Sequence, residues 1–336
     1  MKTILVTGSA GFIGFHLCKA LINSGYDVVG LDNLNNYYNI KLKKDRLSVL
    51  KRYAKENGKV KLYNFYKIDL SNKLQLENLF KKHKFDVVIN LAAQAGVRHS
   101  ITNPESYIDS NILGFFNLIE CVKKFKINHF LFASSSSVYG MQTKEPFSIN
   151  DNTDFPVSLY AATKKSNEII AFSYSHLYQI PSTCMRFFTV YGPYGRPDMA
   201  YFSFLEDIKN RRVISLFNNG KMKRDFTFID DVIYAIEKLI YKIPKNKIHG
   251  ETKTLAPFET YNIGNNNPVT MNRFIKALES ASKKKALIKK VPMQAGDVPK
   301  TFADIDSLSE TINYQPKTSI EVGIKKFVKW HDAYFS

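Results

Sequence analysis

The stretch Thr7-Gly8-Ser9-Ala10-Gly11-Phe12-Ile13-Gly14 decides the fold, because its glycines recur at every third position between a strand pattern and a helix pattern. The apolar, partly β-branched residues 2–6 predict a buried strand, and residues 15–24 carry apolar side chains at helical spacing. In a strand–glycine turn–helix unit, backbone N–H groups can approach a pyrophosphate at the positive end of the helix. The more common spacing is G-x-G-x-x-G, so on this evidence alone a plain strand-to-helix turn is the alternative.

A second strand pattern, residues 26–31, ends at Asp32, 18 residues after Gly14. A carboxylate at this position can accept both hydroxyl groups of an adenosine ribose and would repel a 2′-phosphate. The pair Asp32-Asn33 could instead simply begin a turn. Taken with the glycine stretch, the acid favours a dinucleotide site that takes NAD rather than NADP.

Composition excludes several classes of protein. The 336 residues are 44% hydrophobic and 23% charged, as in ordinary globular domains, and no apolar run is long enough for a membrane span or a secretory signal. Cys18, Cys121 and Cys184 lie far apart, which argues against a disulfide framework or a metal site and fits a reducing cytoplasm. The net charge of +18 raises the question of nucleic acid, but the lysines are spread along the chain without a recognition motif. An anionic small molecule is the simpler partner.

Strand-like and helix-like patterns alternate through the first half of the chain, which predicts a Rossmann-like, doubly wound parallel α/β sheet. The longest helix patterns are residues 106–125 and 159–178. From about residue 190 the pattern becomes irregular and rich in turn signals. We therefore predict an NAD-binding domain over residues 1–190, with a return near 226–241, and a smaller substrate-binding domain over residues 191–336.

Two further motifs carry chemistry. Ser134 to Ser137 follow a predicted strand, at the edge where open α/β sheets bind ligands, although a solvated serine loop would look the same. Tyr160 and Lys164 lie four residues apart and so share one helix face. An ammonium beside a phenol favours the phenolate, which makes Tyr160 a usable base near neutral pH. Each motif is weak alone, but the glycine turn, acid, serine strand end and Tyr-x-x-x-Lys in this order form a strong combination.

With these motifs the chain resembles the extended short-chain dehydrogenase/reductase family over nearly its whole length. Among its members the resemblance is closest to nucleotide-sugar epimerases that act on UDP-glucuronate. The narrower likeness is carried by five segments, which are residues 92–98, 134–140, 156–165, 186–199 (RFFTVYGPYGRPDM) and 224–231. The resemblance implies an isomerase that uses NAD and reverses carbon 4 of a UDP-sugar through a transient 4-keto sugar.

The resemblance also implies roles for individual residues. Tyr160 is the expected proton acceptor, Lys164 its partner, and Ser135 the hydroxyl on the sugar, supported by Ser136 and Ser137. The expected cofactor-binding residues are Gly8, Gly11, Phe12, Ile13, Gly14, Asp32, Asn33, Asp69, Leu70, Leu91, Ala92, Ala93, Asn111, Tyr160, Lys164 and Phe188. The expected substrate-binding residues are Arg98, Ser135, Thr189, Arg196, Phe217, Arg224 and Asp297.

Related reactions differ in the acids that they need. Related dehydratases carry an Asp-Glu pair in the serine run and related decarboxylases a Glu, whereas this chain has no acid between Ser134 and Val138. Only nine of the basic residues are arginine, and four of these fall within the five motif segments, as expected where a planar guanidinium must bind an anion. Chance placement or structural pairing would explain the same arginines.

The sequence thus predicts a cytoplasmic UDP-glucuronate 4-epimerase, in which the resemblance assigns Arg196, with Arg98 nearby, to the uronate carboxylate. The resemblance further implies a homodimer through the two long helices, with polysaccharide synthesis as the destination of the product. No metal, nucleic acid or membrane partner is expected. The alternatives are a 4-epimerase of a neutral or N-acetylated UDP-sugar and, more remotely, a non-catalytic NAD-binding regulator.

Overall fold

The computed structural model describes residues 2–250, 253–293 and 298–336. The chain forms two compact units. The first comprises Met1–Gly140, Asn152–Arg186 and Ala235–Tyr261, and the second comprises Met141–Asp151, Phe187–Tyr234 and Asn262–Ser336. Residues 141–151 and 187–234 thus belong to the second unit, and residues 235–261 belong to the first.

The strands follow the expected alternation through the first half of the chain, and most of the later strands are only three or four residues long. In chain order they are β1 (Thr3–Thr7), β2 (Asp27–Asp32), β3 (Tyr63–Lys67), β4 (Val87–Asn90), β5 (His129–Ser135), β6 (Ser182–Phe187), β7 (Thr189–Tyr191), β8 (Val213–Leu216), β9 (Lys223–Phe228), β10 (Lys247–His249), β11 (Thr254–Ala256), β12 (Phe258–Ile263), β13 (Pro268–Thr270) and β14 (Leu287–Lys290). Seven of them form one parallel sheet in the order β12-β6-β5-β4-β1-β2-β3. The predicted fold class is confirmed.

Along the chain, helices alternate with the strands of this sheet, as a doubly wound fold requires. In chain order the helices are α1 (Phe12–Asn23), α2 (Ile40–Glu56), α3 (Lys73–Lys82), α4 (His99–Thr102), α5 (Glu105–Tyr107), α6 (Gly114–Lys124), α7 (Leu159–Tyr178), α8 (Ala200–Lys209), α9 (Ile229–Leu239), α10 (Met271–Ser282), α11 (Asp306–Ile312) and α12 (Ile320–Phe335). Among the residues described, none of these helices combines the length and hydropathy that crossing a membrane demands.

The sheet reverses its winding direction at β1. From β1 the chain moves outward to β2 and β3, then crosses back to β4 on the other side of β1 and continues to β5, β6 and β12. Loops leaving β1 and β4 separate at this switch point, and the carboxyl ends of neighbouring strands then border a crevice. The glycine turn that follows β1 and the serine run that follows β5 both lie at this carboxyl edge.

The predicted helix over residues 106–125 is continuous but irregular. Ile108–Leu113 form a π-helical stretch between α5 and α6, with hydrogen bonds one residue longer than in an α-helix. Such stretches are rare and often occur at functional sites. The hydrophobic spacing does not reveal this one, because one widened turn shifts the apolar positions only slightly.

The second unit has small sheets. β13, β9 and β7 form a three-stranded sheet, and β14 pairs with β8. Phe226 of β9 stacks on Phe274 of α10 with ring centroids 4.8 Å apart, and this contact helps build the core of the unit. Residues 226–228 belong to β9 and hence to this unit.

Candidate functional site

The glycine turn after β1 is tightly closed. Gly8 has a φ of +68°, and a Cβ atom there would lie 2.8 Å from the amide nitrogen of Ala92. A Cβ at Gly14 would lie 2.1 Å from the carbonyl oxygen of Gly8, and one at Gly11 would lie 2.9 Å from the same oxygen. Since each of these distances is too short for a side chain, glycine is required for the turn to pack against β4 and α1.

The first turn of α1 begins directly after this loop, with Phe12 buried and Ile13 partly exposed. Within the described part of the chain, no side chain caps the helix at Gly11. The uncapped N–H groups and the helix dipole make this end suitable for a phosphate. The geometry therefore fits the pyrophosphate of a dinucleotide.

Asp32 lies buried at the end of β2, beside the glycine turn. Its Oδ2 accepts a hydrogen bond from the amide of Ala10 at 3.2 Å, and its Oδ1 accepts one from Leu34 at 2.8 Å. A carboxylate can accept about four hydrogen bonds, so capacity for ribose hydroxyl groups remains. Asn33 donates to Oδ2 of Asp69 at 2.7 Å, which joins the ends of β2 and β3. Burial alone would raise the pKa of Asp69, but hydrogen bonds from Asn33 and Ser71 hold it below its usual value.

The remaining cofactor candidates of the first unit lie beyond β3 and β4. Leu70 is buried, whereas Leu91, Ala92 and Ala93 are partly exposed. The amide of Ala92 donates to Oγ1 of Thr7 at 3.1 Å, which fixes the end of β4 beside the glycine turn.

Asn111 lies at the centre of the π-helical stretch and is 2% exposed. Its Oδ1 accepts from the amide of Gln94 at 2.8 Å, and its Nδ2 donates to Oγ1 of Thr163 at 3.0 Å. Asn111 therefore links the segment after β4 to α7, close along the chain to Lys164. This is a bridging position that the sequence spacing did not predict.

The serine run ends β5 and begins a short 3₁₀ turn, Ser136–Tyr139. Ser135 Oγ accepts from the amide of Ser137 at 3.1 Å and lies 3.2 Å from its hydroxyl oxygen. Ser136 and Ser137 are partly exposed, whereas Ser135 is largely buried. Ser135 and Ser137 thus form one hydrogen-bonded pair.

Tyr160 and Lys164 lie in the first turns of α7, which Ser158 caps by accepting from the amide of Ala161. The Tyr160 ring packs edge-to-face on Tyr107 with centroids 6.1 Å apart. Lys164 is 3% exposed, and its Nζ donates to the carbonyl oxygen of Ala133 at 2.9 Å. Burial lowers the pKa of Lys164 to about 8. The structure thereby joins the predicted base helix to the strand end that carries the serines.

Arg98 of the first unit precedes α4 and is exposed. Ser135 also belongs to the first unit, whereas Thr189, Arg196, Phe217, Arg224 and the cofactor candidate Phe188 belong to the second. Phe188 is buried, Thr189 begins β7, and Phe217 is partly exposed after β8. Asp297 lies outside the described residues.

Two of the predicted substrate-binding arginines, Arg196 and Arg224, form hydrogen bonds within the second unit. Arg196 donates a hydrogen bond to each carboxylate oxygen of Asp198, from Nε to Oδ1 at 3.0 Å and from Nη2 to Oδ2 at 2.5 Å. The Arg196 side chain retains 22% exposure. Arg224 donates to the carbonyl oxygens of Lys223 and Pro299 at 2.9 and 3.2 Å. The contact between Arg196 and Asp198 is the structural pairing that competes with a ligand role for this arginine.

Two groups of buried charged residues near the predicted site were not predicted from the sequence. The first is a pair of basic residues on α2. Arg46 of α2 is fully buried, and its Nη1 donates to the carbonyl oxygen of Ala10 in the glycine turn at 2.8 Å and to the Tyr38 hydroxyl at 2.6 Å. Lys43, also buried, lies over the same Tyr38 ring. Basic residues three apart on the apolar face of α2 were the available signal.

The second missed group is a buried ion pair. Arg186 of β6 contacts Glu168 of α7 through two parallel hydrogen bonds of 2.9 and 2.8 Å. Glu168 follows Lys164 by four residues and could have been found as a third member of the Tyr160–Lys164 face. Arg186 is one of the four arginines within the motif segments, but its side chain is buried against Glu168 rather than exposed to an anion.

Comparisons with known proteins agree with this architecture. Residues 4–264 match the NAD dependent epimerase/dehydratase family. The protein CapI of Staphylococcus aureus is 49% identical over 99% of both chains. A probable UDP-glucuronate 4-epimerase of Rhizobium meliloti is 44% identical over 98% of this chain and 96% of its own. Among solved structures, the UDP-glucuronic acid 4-epimerase of Bacillus cereus in complex with UDP-glucuronic acid and NAD is 32% identical, covers 99% of both chains and gives a TM-score of 0.86.

Proposed function

Because the chain belongs to the NAD dependent epimerase/dehydratase family, we propose that it interconverts UDP-glucuronate and UDP-galacturonate by inverting carbon 4 of the sugar. The observation that carries this proposal is the contact between Lys164 and the carbonyl of Ala133. It joins the helix that bears Tyr160 to the strand end that bears Ser135, which brings a base and its hydroxyl partner to one edge of the sheet.

We assign NAD as the cofactor, with the glycine turn at its pyrophosphate and Asp32 at its adenosine ribose. The uncapped start of α1 and the free acceptor capacity of Asp32 support this fit. When bound, NAD supplies a hydride acceptor that later returns the hydride to the opposite face of the sugar. Regeneration within each turnover means that no external oxidant or reductant is consumed.

The chain's own residues manage the proton. Tyr160 takes the proton of the 4-hydroxyl as the carbon–hydrogen bond at carbon 4 breaks, and returns it when the 4-keto sugar is reduced. Lys164 favours the phenolate of Tyr160 through its positive charge. Ser135, supported by Ser137, donates to or accepts from the oxygen on carbon 4. In the run from Ser134 to Val138 there is no carboxylate to eliminate water, so simple inversion is the reaction that these residues support.

The second unit is proposed to bind the nucleotide sugar. Arg224 would contact the UDP phosphates, Thr189 and Phe217 would line the sugar and uridine, and Asp297 would meet the uridine ribose. Arg196, with Arg98 as a further candidate, would hold the uronate carboxylate, since a guanidinium can bind both carboxylate oxygens in parallel.

We further propose a homodimer formed through α6 and α7. Both helices, together with the π-helical stretch, present apolar side chains to solvent, including Phe116 at 42% and Ile169 at 55% exposure. Paired helices would remove this surface from water. The three buried, free cysteines are consistent with a cytoplasmic setting.

The test of the proposed function is Tyr160→Phe, which removes only the hydroxyl group. Activity should fall by roughly 10²-fold or more, the usual scale of acid–base catalysis, while NAD content and UDP binding remain nearly unchanged. Tyr178→Phe, on the exposed end of the same helix, is the matched control and should retain full turnover. Near-normal turnover by the Tyr160 variant would remove this residue from the proposed role.

A further inference from the structure

The ion pair between Glu168 and Arg186 lies beside the end of β5, the strand that carries Ser134 and Ser135. Glu168 is 7% exposed and Arg186 is 5% exposed. On α7, Tyr160, Lys164 and Glu168 recur at intervals of four residues, so all three lie along one side of the helix. The pair is therefore buried in line with the predicted catalytic side chains.

The two members of this pair contact the first residue of the serine run and Tyr139, which lies two residues beyond its last serine. Glu168 Oε1 accepts a hydrogen bond from Ser134 Oγ at 2.5 Å, immediately before Ser135. Arg186 Nη1 donates to the hydroxyl oxygen of Tyr139 at 3.0 Å, and Tyr139 ends the 3₁₀ turn that contains Ser136 and Ser137. The ion pair thus brackets the run from both sides.

Stability alone is a poor explanation for such a pair. Removing two charges from water is costly, and apolar residues of similar volume often stabilise a core equally well or better. A buried, bidentate and fully directed pair does, however, fix the relative position of the elements that it joins. The ion pair joins α7, which carries Tyr160, to β6. The hydrogen bonds of Glu168 with Ser134 and of Arg186 with Tyr139 extend this link to the end of β5 and the turn after it.

We propose that Glu168 is a positioning residue which, through Arg186, holds residues 134–139 in register with the Tyr160–Lys164 face of α7. Lys164 adds a parallel tie to Ala133, so the helix is fixed to consecutive residues of β5. The inference rests on the proposed roles of Tyr160 and Ser135. Small displacements of reacting groups reduce rates strongly, so loss of register should appear in kcat rather than in substrate binding.

The chain offers a closely matched pair of variants. Ser134→Ala removes the hydrogen bond from the serine run to Glu168 but leaves the ion pair intact. Ser175→Ala removes an equally buried serine hydroxyl of α7, one that donates to the carbonyl of Pro257 at 3.0 Å. Both variants lose one buried hydrogen bond of the same helix, and only the first loses a tie to the serine run.

The experiment measures kcat, KM and melting temperature for both variants with UDP-glucuronate. Ser134→Ala should lower kcat about tenfold with KM changed less than about twofold, whereas Ser175→Ala should retain kcat at a similar loss of melting temperature. Equal kcat in the two variants would overturn the proposal and leave Glu168 a structural residue.

A second arm replaces the ion pair itself. The double variant Glu168→Met/Arg186→Met removes both charges and the acceptor for Ser134 without leaving an unpaired buried charge, and it should melt close to the parent temperature yet lose at least about tenfold in kcat. Parental kcat in this folded double variant would also overturn the proposal. Tyr160→Phe in the same assay separates the two ideas. If the parent protein does not convert UDP-glucuronate, the proposed function fails, and if Tyr160→Phe is fully active, the role of Tyr160 fails. If Tyr160→Phe is inactive and Ser134→Ala is normal, only the positioning role fails.

Discussion

Replacing Arg196 by leucine distinguishes a ligand for the substrate carboxylate from a brace of the chain. A hydrogen bond to a charged group contributes ~1.5–3 kcal/mol, and about 1.4 kcal/mol corresponds to one decade. The variant should therefore lose about one to two orders of magnitude in kcat/KM for UDP-glucuronate. UDP-glucose has no carboxylate, so its kcat/KM should change little or rise. A 4-keto uronate held loosely is a β-keto acid that can lose carbon dioxide, so a UDP-pentose by-product should increase.

If Arg196 only braces the chain, its replacement should act through stability, and the structure indicates how large that loss should be. The pair of Arg196 with Asp198 is partly exposed, and such surface pairs contribute roughly 0–1 kcal/mol, so the melting temperature should fall by only a few degrees. Asp198→Asn is the matched control, because it releases the guanidinium without removing it. Both substrates and the melting curve are measured for each variant. Equal losses on the two substrates, reproduced by Asp198→Asn, would refute the carboxylate assignment.

Three further outcomes follow from the packing. Gly14→Ala should lower the NAD content of the purified protein at least about tenfold, because its Cβ would lie 2.1 Å from a carbonyl oxygen of the turn. Gly25→Ala strains the backbone at a φ of +82°, but its Cβ would meet nothing within 4 Å, so this variant should retain NAD. Equal NAD content in the two variants would contradict the assigned site. Burial lowers the pKa of His129 to about 4, below its ordinary 6.5, so the unfolded chain binds more protons in this window and stability falls as the pH is lowered from 6.5 to 4. His129→Gln should remove roughly 3 kcal/mol of that acid-induced loss in denaturant titrations, and an unchanged pH profile would argue against a neutral buried imidazole. Arg186→Met should lower the free energy of unfolding by about 3–5 kcal/mol, because it leaves the buried charge of Glu168 unpaired. Chemical denaturation measures this loss, and a value below about 1 kcal/mol would contradict the view that Arg186 compensates this charge.

Much of the fold and part of the site can be predicted from the sequence, because they depend on local patterns. The glycine turn needs small residues at fixed spacing, and Asp32 follows a short buried strand, so both lie where the pattern predicts. The i and i+4 spacing likewise placed Tyr160 and Lys164 on one helix. The functional roles of these residues are still predictions.

The features that the sequence did not reveal depend on contacts between distant segments. The partner of Glu168 is Arg186, across from α7 on β6, and no local pattern connects the two. β12 lies beside β6 in the central sheet although a long stretch of chain separates the two strands, and no local pattern predicts this pairing. Asn111 gains its bridging position from a π-helical stretch that barely disturbs the apolar spacing.

The central claim is tested most directly by incubating the purified protein with UDP-glucuronate in the absence of added cofactor. The account predicts UDP-galacturonate, approaching an equilibrium mixture that is also reached from the opposite direction, because NAD carried by the protein is regenerated in every turnover. Turnover of UDP-glucose or an N-acetylated UDP-sugar without any UDP-galacturonate would contradict the uronate assignment. No turnover of any nucleotide sugar by NAD-loaded protein would contradict the account as a whole.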